Sequence, residues 1–171
     1  AITKFLGHNA NHALLGYLAR EQGLRFMHEA GEREDLMTIV QEAFLEESGV
    51  GLRHKYAELD DDLFTEDGFR AYAEDAVTRM VSPFLRDPVD RVTRDPARKL
   101  GWEDRLVGSM RLASEAGVKP NRLARGVAIA LQCLCEETGQ GGPEVLLAEL
   151  WKDAAGELSA DLLKLVFNSI I

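Results

Sequence analysis

The sequence predicts an all-α protein. Apolar residues recur at spacings of three and four, capping residues, glycines and prolines punctuate those runs, and no segment keeps the alternation of a half-buried strand. In order, NANHALLGYLAREQG sets Leu14, Leu15, Tyr17 and Leu18 on one side, with Gly23 as its stop. EREDLMTIVQEAFLEESGVG repeats the spacing at Leu36, Ile39, Val40, Ala43 and Phe44, its first turn is acidic, and Gly49 and Gly51 offer a break. The pattern resumes through LRHKYAEL. TEDGFRAYAEDAVTRMVSPF starts at a Thr or Asp cap and ends at Pro83. A Pro- and Arg-rich stretch of turns follows to Gly101. WEDRLVGSMRLASEAG is a further helix led by Trp102, and PNRLARGVAIALQCLCEETG, the most apolar, should cross the core. GPEVLLAELWKDAAGE and SADLLKLVFNSII close the chain behind Gly-Pro and Ser cap signals. Usual lengths give about seven to nine helices.

With 171 residues, 46% hydrophobic and 29% charged, the chain fits one domain with a substantial core. Its net charge of -9 argues against nucleic acid or an anionic membrane as the main partner. No apolar run approaches the roughly 20 residues of a membrane span. Cys133 and Cys135 are too close for an unstrained bridge, and as reduced thiols in an apolar helix they point to a cytoplasmic protein. The chain starts without methionine and enters a helix almost at once, so it is expected to be part of something longer. The glycine cluster TGQGGPE follows a helix and lacks G-x-G-x-x-G spacing, and no P-loop, C-x-x-C or H-E-x-x-H occurs. His8 and His12 lie four apart but have no local third ligand, so no metal is expected.

Chemistry concentrates in two places. The first is TKFLGHNANH, where Lys4, Asn9 and His12 realise the spacing K-x-x-x-x-N-x-x-H. Asn9 and His12 are one turn apart and share a face, while Lys4 arrives from an extended segment just ahead. A local reading competes: Asn9 or Asn11 is a helix cap, Lys4 is solvated, and the histidines are incidental. The second is RDPVDRVTRDPARK, with Arg86, Arg91, Arg94, Arg98 and Lys99 on turns of an acidic chain. Arginine forks suit a phosphate, but the interleaved Asp87, Asp90 and Asp95 also suit ordinary surface ion pairs. Trp102 and Trp151 read as packing, Glu46 and Glu47 as solvated, and Asp60, Asp61 and Asp62 as an acidic loop.

The Lys4, Asn9, His12 spacing resembles the signature of the polyol-specific long-chain dehydrogenases and reductases. FLEESGVGLRHKYAELD, SPFLRDPVDRVTRDPARKLGWEDRL and RGVAIALQC look like stretches of its members that act on mannitol 1-phosphate, so the likeness spans essentially the whole chain. The resemblance implies that residues 1–171 form an all-helical C-terminal, substrate-binding domain with the 6-phosphogluconate dehydrogenase C-terminal-like fold. It implies a partner Rossmann domain, outside this chain, that binds NAD, and no metal. The implied reaction interconverts mannitol 1-phosphate and fructose 6-phosphate. Lys4 would move the proton, Asn9 would donate to the developing oxyanion, and His12 would hold a substrate hydroxyl. For that role the amine must shed its proton near neutral pH, which burial and nearby cations favour. Arg91 and Lys99 fall where the family places substrate-contacting cations, with Arg94 and Arg98 as further candidates. His8 and Asn11 gain no role beyond local capping. Open alternatives are a domain acting on free mannitol or on hexuronates such as fructuronate and tagaturonate, and a non-catalytic helical interaction module.

Overall fold

The computed structural model describes residues 1–154 and 156–170. They are predominantly helical, with eleven α-helices among the described residues, more than the sequence suggested because the Pro- and Arg-rich stretch contributes two short ones. The only bridge between extended residues among them is an isolated antiparallel pair, Phe26 with Pro88.

The chain enters through a π-helical segment, Lys4–Asn9, that runs directly into α1 (Ala10–Glu21). Lys4 is therefore part of a helix rather than of an extended lead-in. Asn9 has helical backbone angles and makes no capping bond, so it does not start α1. Asn11 is buried inside the helix, where its Nδ2 donates to Gly7 O and to Ser48 Oγ, each at 2.9 Å. Gly23, at φ 72°, ends the run as its sequence position indicated.

After a short α2 (Met27–Ala30), α3 (Glu34–Glu42), a π segment (Ala43–Ser48) and α4 (Gly49–Lys55) form one uninterrupted helical stretch. Gly49 and Gly51 are not a break. A Cβ on Gly51 would stand 2.7 Å from the backbone of Leu112, so this glycine lets another helix lie against α4. α5 (Glu66–Met80) is capped by Thr65, whose Oγ1 accepts from Gly68 N at 3.0 Å. It ends ahead of Pro83, which opens a 3-10 turn (Pro83–Leu85).

α6 (Val89–Thr93) and α7 (Pro96–Lys99) lie in the basic stretch, and each is preceded by a left-handed non-glycine residue, Arg86 at φ 45° ahead of α6 and Asp95 at φ 63° ahead of α7. α1 seats α6 closely. A Cβ on Gly16 would fall 2.5 Å from Val92 Cγ1, Tyr17 Oη donates to Thr93 O at 3.0 Å, and Arg20 Nη1 donates to Thr93 Oγ1 at 3.3 Å. α8 (Arg105–Glu115) begins at Asp104, whose Oδ1 accepts from Arg105 N, rather than at Trp102. Trp102 instead packs edge-on against Trp151, whose Nε1 donates to Leu100 O at 2.8 Å.

α9 (Asn121–Thr138) crosses the core, as its apolar sequence requires, and ends at left-handed Gly139. Cys133 is buried on it and Cys135 partly so. Glu47, read from sequence as solvated, is 1% exposed. Its carboxylate accepts from the N–H groups of Arg122 and Leu123 at 2.9 and 3.0 Å, satisfying donors at the start of α9. Glu46 is exposed and pairs with Arg122 at 3.0 Å. α10 (Pro143–Leu150) and α11 (Glu157–Phe167) complete the chain.

The core gathers around α1, where Leu14, Leu15, Tyr17 and Leu18 are fully buried. Gly126 of α9 meets Leu14, so the two helices approach closely. Truncating such a leucine to alanine costs roughly 2–5 kcal/mol. The polar end of α1 is thus carried on the most firmly buried element of the molecule.

Candidate active site

Two adjoining cavities open at the start of α1, and His12 and Arg91 line both. The first, about 440 Å³, is bounded by Lys4, His8, Tyr72, Arg79, Met80, Leu85 and Asp87 in addition. The second, about 250 Å³, is bounded by Asn9, Ala13, Val92, Arg94, Arg98, Lys99 and Arg105 as well. Lys4 and His12 therefore face one space, Asn9 and His12 face the next, and the three do not meet in a single pocket. Lys4 is exposed rather than buried, while Asn9 and His12 are half-buried.

The lining of the second cavity contains no carboxylate and five cationic side chains. Four of the five cations in the basic run, Arg91, Arg94, Arg98 and Lys99, are brought together there. Arg86 lines neither cavity. Arg105 was missed because it lies past Gly101 and Trp102 at the head of the next helix, outside the basic run though only a few residues beyond it. Its Nε pairs with Asp104 at 3.0 Å, and its guanidinium lies over the Phe5 ring at 5.4 Å. Both contacts hold a side chain that would otherwise be mobile.

The cations differ in kind. Arg91 donates from Nε to Asp87 Oδ1 at 2.7 Å, and Arg98 pairs with Asp95 at 3.2 Å, leaving parts of both forks free. Lys99 is only 4% exposed, and its Nζ donates to the Arg94 carbonyl. Burial, with Arg98 and Arg105 nearby, lowers its pKa to about 8. Asp95 and Asp104 oppose that shift, and with Asp87 they each pair with one of the surrounding arginines, so the cluster is partly balanced by carboxylates that do not line the cavity.

His12 lies between the cavities. Burial lowers its pKa to about 4 despite the opposing effect of Asp87, so the ring is a neutral imidazole near pH 7. Its Nε2 is 3.3 Å from Asp87 Oδ2, within ion-pair range, yet it is sealed from solvent and has no well-aligned hydrogen-bond partner. The contact is thus electrostatic rather than a fully formed hydrogen bond. His8 stands edge-on to His12 with ring centroids 6.0 Å apart, and burial, then Lys4 and Arg79, lower its pKa. Among the described residues no three metal-ligating side chains cluster. No helix of the described chain is long and apolar enough to cross a membrane. The described residues also contain no sheet or glycine-rich turn of the kind that cradles a dinucleotide.

Residues 2–161 match the mannitol dehydrogenase C-terminal domain family, and the chain belongs to it. It is 37% identical over 72% of its length to a mannitol-1-phosphate 5-dehydrogenase of Caldanaerobacter subterraneus subsp. tengcongensis, covering 30% of that protein. It is 38% identical over 75% of its length to the enzyme of that name from Bacillus licheniformis, covering 32% of it. With the Bacillus subtilis enzyme it shares 34% identity over 78% of this chain and 36% of that one. The chain thus spans about a third of the length of these curated relatives.

Proposed function

We propose that residues 1–171 are the substrate-binding and proton-transferring domain of an NAD-dependent enzyme that interconverts mannitol 1-phosphate and fructose 6-phosphate. The observation that carries the reading is the carboxylate-free cavity lined by Arg91, Arg94, Arg98, Lys99 and Arg105, joined through His12 and Arg91 to the cavity that Lys4 lines. In this substrate the phosphate and the reacting secondary carbon sit toward opposite ends of a six-carbon chain. Two adjoining cavities, one of them basic, offer a separate place for each end.

The phosphate is read into the basic cavity, held by the free guanidinium edges and by Lys99. The reacting oxygen lies at the shared wall. Lys4 approaches it from one side and removes its proton on oxidation, or returns it on reduction. Asn9 approaches from the other and donates its amide to the oxygen as charge develops. Neutral His12 exchanges a hydrogen bond with a hydroxyl and sets the carbon chain in register. NAD, held by a Rossmann domain outside this chain, would accept or return the hydride; the described residues form no dinucleotide cradle of their own.

The test is substrate discrimination by the enzyme that contains this chain. Arg91→Ala should cut kcat/KM with mannitol 1-phosphate by at least a hundredfold while changing it little with mannitol. Equal losses on both would overturn the phosphate assignment and favour a free polyol. Full activity on a hexuronate such as fructuronate, with none on the phosphate ester, would turn the basic cavity into a carboxylate site.

A further inference from the structure

Asp87 has no role in the reaction outlined above, yet it is 7% exposed and touches both side chains that the two cavities share. Arg91 Nε donates to its Oδ1 at 2.7 Å, and His12 Nε2 lies 3.3 Å from its Oδ2. Its backbone is fixed by other means. The carbonyl of Asp87 accepts from Met27 N at 2.9 Å, Val89 N donates to Arg25 O at 3.0 Å, and Phe26 pairs with Pro88 between them. The carboxylate is thus anchored to the α1–α2 connection, and its partners orient around it.

The imidazole has one proton to place. Nε2 is sealed from solvent, so the 22% exposure of the side chain belongs to its other atoms. A lone pair on Nε2 would face the Asp87 carboxylate and be repelled. A proton there turns the same contact into an attraction and needs only a small tilt of the ring to become a hydrogen bond. Leaving the nitrogen unmatched costs roughly 1–3 kcal/mol.

We propose that Asp87 is a positioning residue, holding His12 in the tautomer protonated at Nε2 and fixing Arg91 beside it, so that Nδ1 is the ring's hydrogen-bond acceptor. A substrate hydroxyl then donates to His12 rather than accepting from it. The charged and titratable groups around the imidazole are Asp87 and Arg91 across the wall, His8 on its own helical face, Lys4, Tyr72 and Arg79 in the first cavity, and Arg94, Arg98, Lys99 and Arg105 in the second. The consequence for turnover rests on the proposed function, whereas the tautomer can be observed without substrate.

Long-range proton–nitrogen spectra of the histidines in the 171-residue chain provide the test. The neutral His12 ring should carry its proton on Nε2. Asp87→Asn should mix the tautomers and shift the His12 titration to still lower pH. Arg91→Ala removes a cation instead, so it should keep the tautomer and shift the titration upward. Opposite signs from two neighbours on one ring are not what general loosening of the fold produces. The proposal fails if the wild-type ring is protonated at Nδ1, or if Arg91→Ala lowers the titration. It fails equally if Asp87→Asn keeps the wild-type amide fingerprint and leaves His12 unchanged. Should Asp87→Asn not fold, the wild-type spectrum and Arg91→Ala decide. If the tautomer is as stated but His12 proves dispensable for turnover, the proposed function is at fault and this assignment stands.

Discussion

Lys4 and Asn9 line different cavities, and the wall between those cavities is His12 with Arg91. The amine and the amide can therefore reach one oxygen only where the two spaces meet, and their losses should differ in kind. In the enzyme containing this chain, Lys4→Ala should abolish turnover at neutral pH with folding intact, and added primary amines should restore part of it. Asn9→Ala should lower kcat by about a hundredfold with no amine rescue, as removal of an oxyanion donor does. Activity and circular dichroism of the two variants check this. Amine rescue of Asn9→Ala would reverse the assignment.

The lowered pKa of Lys99, about 8, gives the basic cavity a thermodynamic signature. An anion placed among Arg98, Arg105 and Lys99 favours the ammonium and raises that pKa. Binding of inorganic phosphate at pH 8 should therefore take up protons, roughly half a proton per phosphate. Calorimetry in two buffers of different ionisation enthalpy measures the uptake, and Lys99→Met should remove it. Arg105→Ala should weaken phosphate binding about tenfold, a loss of roughly 1.4 kcal/mol. Binding that releases protons would contradict the arrangement.

His12 makes folding stability depend on pH. Its pKa falls from 6.5 to about 4 in the folded chain, so between those values the unfolded chain holds the extra proton. Stability then rises with pH, and it is lost as pH drops from 6.5 toward 4, by up to about 3 kcal/mol. Burial lowers the His8 pKa as well and contributes with the same sign. Urea unfolding of wild type and His12→Gln at pH 7 and at pH 5 should show a smaller drop in the variant.

Gly16→Ala should damage the site through packing alone. The added methyl would stand 2.5 Å from Val92 Cγ1, and α6 carries Arg91 beside that valine. Overpacking of this kind costs about 1–3 kcal/mol, and here it also pushes the guanidinium off its Asp87 partner. Expected are a lower melting temperature and weaker phosphate binding, with Gly139→Ala, at a left-handed glycine that lines neither cavity, as the comparison. Unchanged phosphate affinity would mean that α6 tolerates displacement.

Helix content was legible in the sequence because it rests on local periodicity: α5 with its Thr65 cap and α9 with its Gly139 stop lie where spacing and capping put them. The glycines of GVG misled, since Gly51 answers to a helix far along the chain rather than to its neighbours. The same limit hid Glu47, whose partners are the N–H groups of Arg122 and Leu123. Lys4, Asn9, His12 and the basic run were visible as residue types at a recognisable spacing. What spacing could not convey was the division into two cavities, the partnership of Asp87 with His12, or the arrival of Arg105, all of which depend on tertiary packing.

The buried chain from Asn11 through Ser48 to Ser109 has a mechanical consequence. Asn11 Nδ2 donates to Ser48 Oγ at 2.9 Å, and the two serine oxygens lie 2.7 Å apart. It pins α1, which bears His12, at a fixed register to α8, which opens with Arg105, and the helical stretch between them acts as the crossbar. Sliding one helix past the other to fit a longer or shorter ligand would break two buried hydrogen bonds together. Adjustment to ligand length thus falls to the exposed side chains of Arg94 and Arg98, while the backbone dimensions of the opening stay constant.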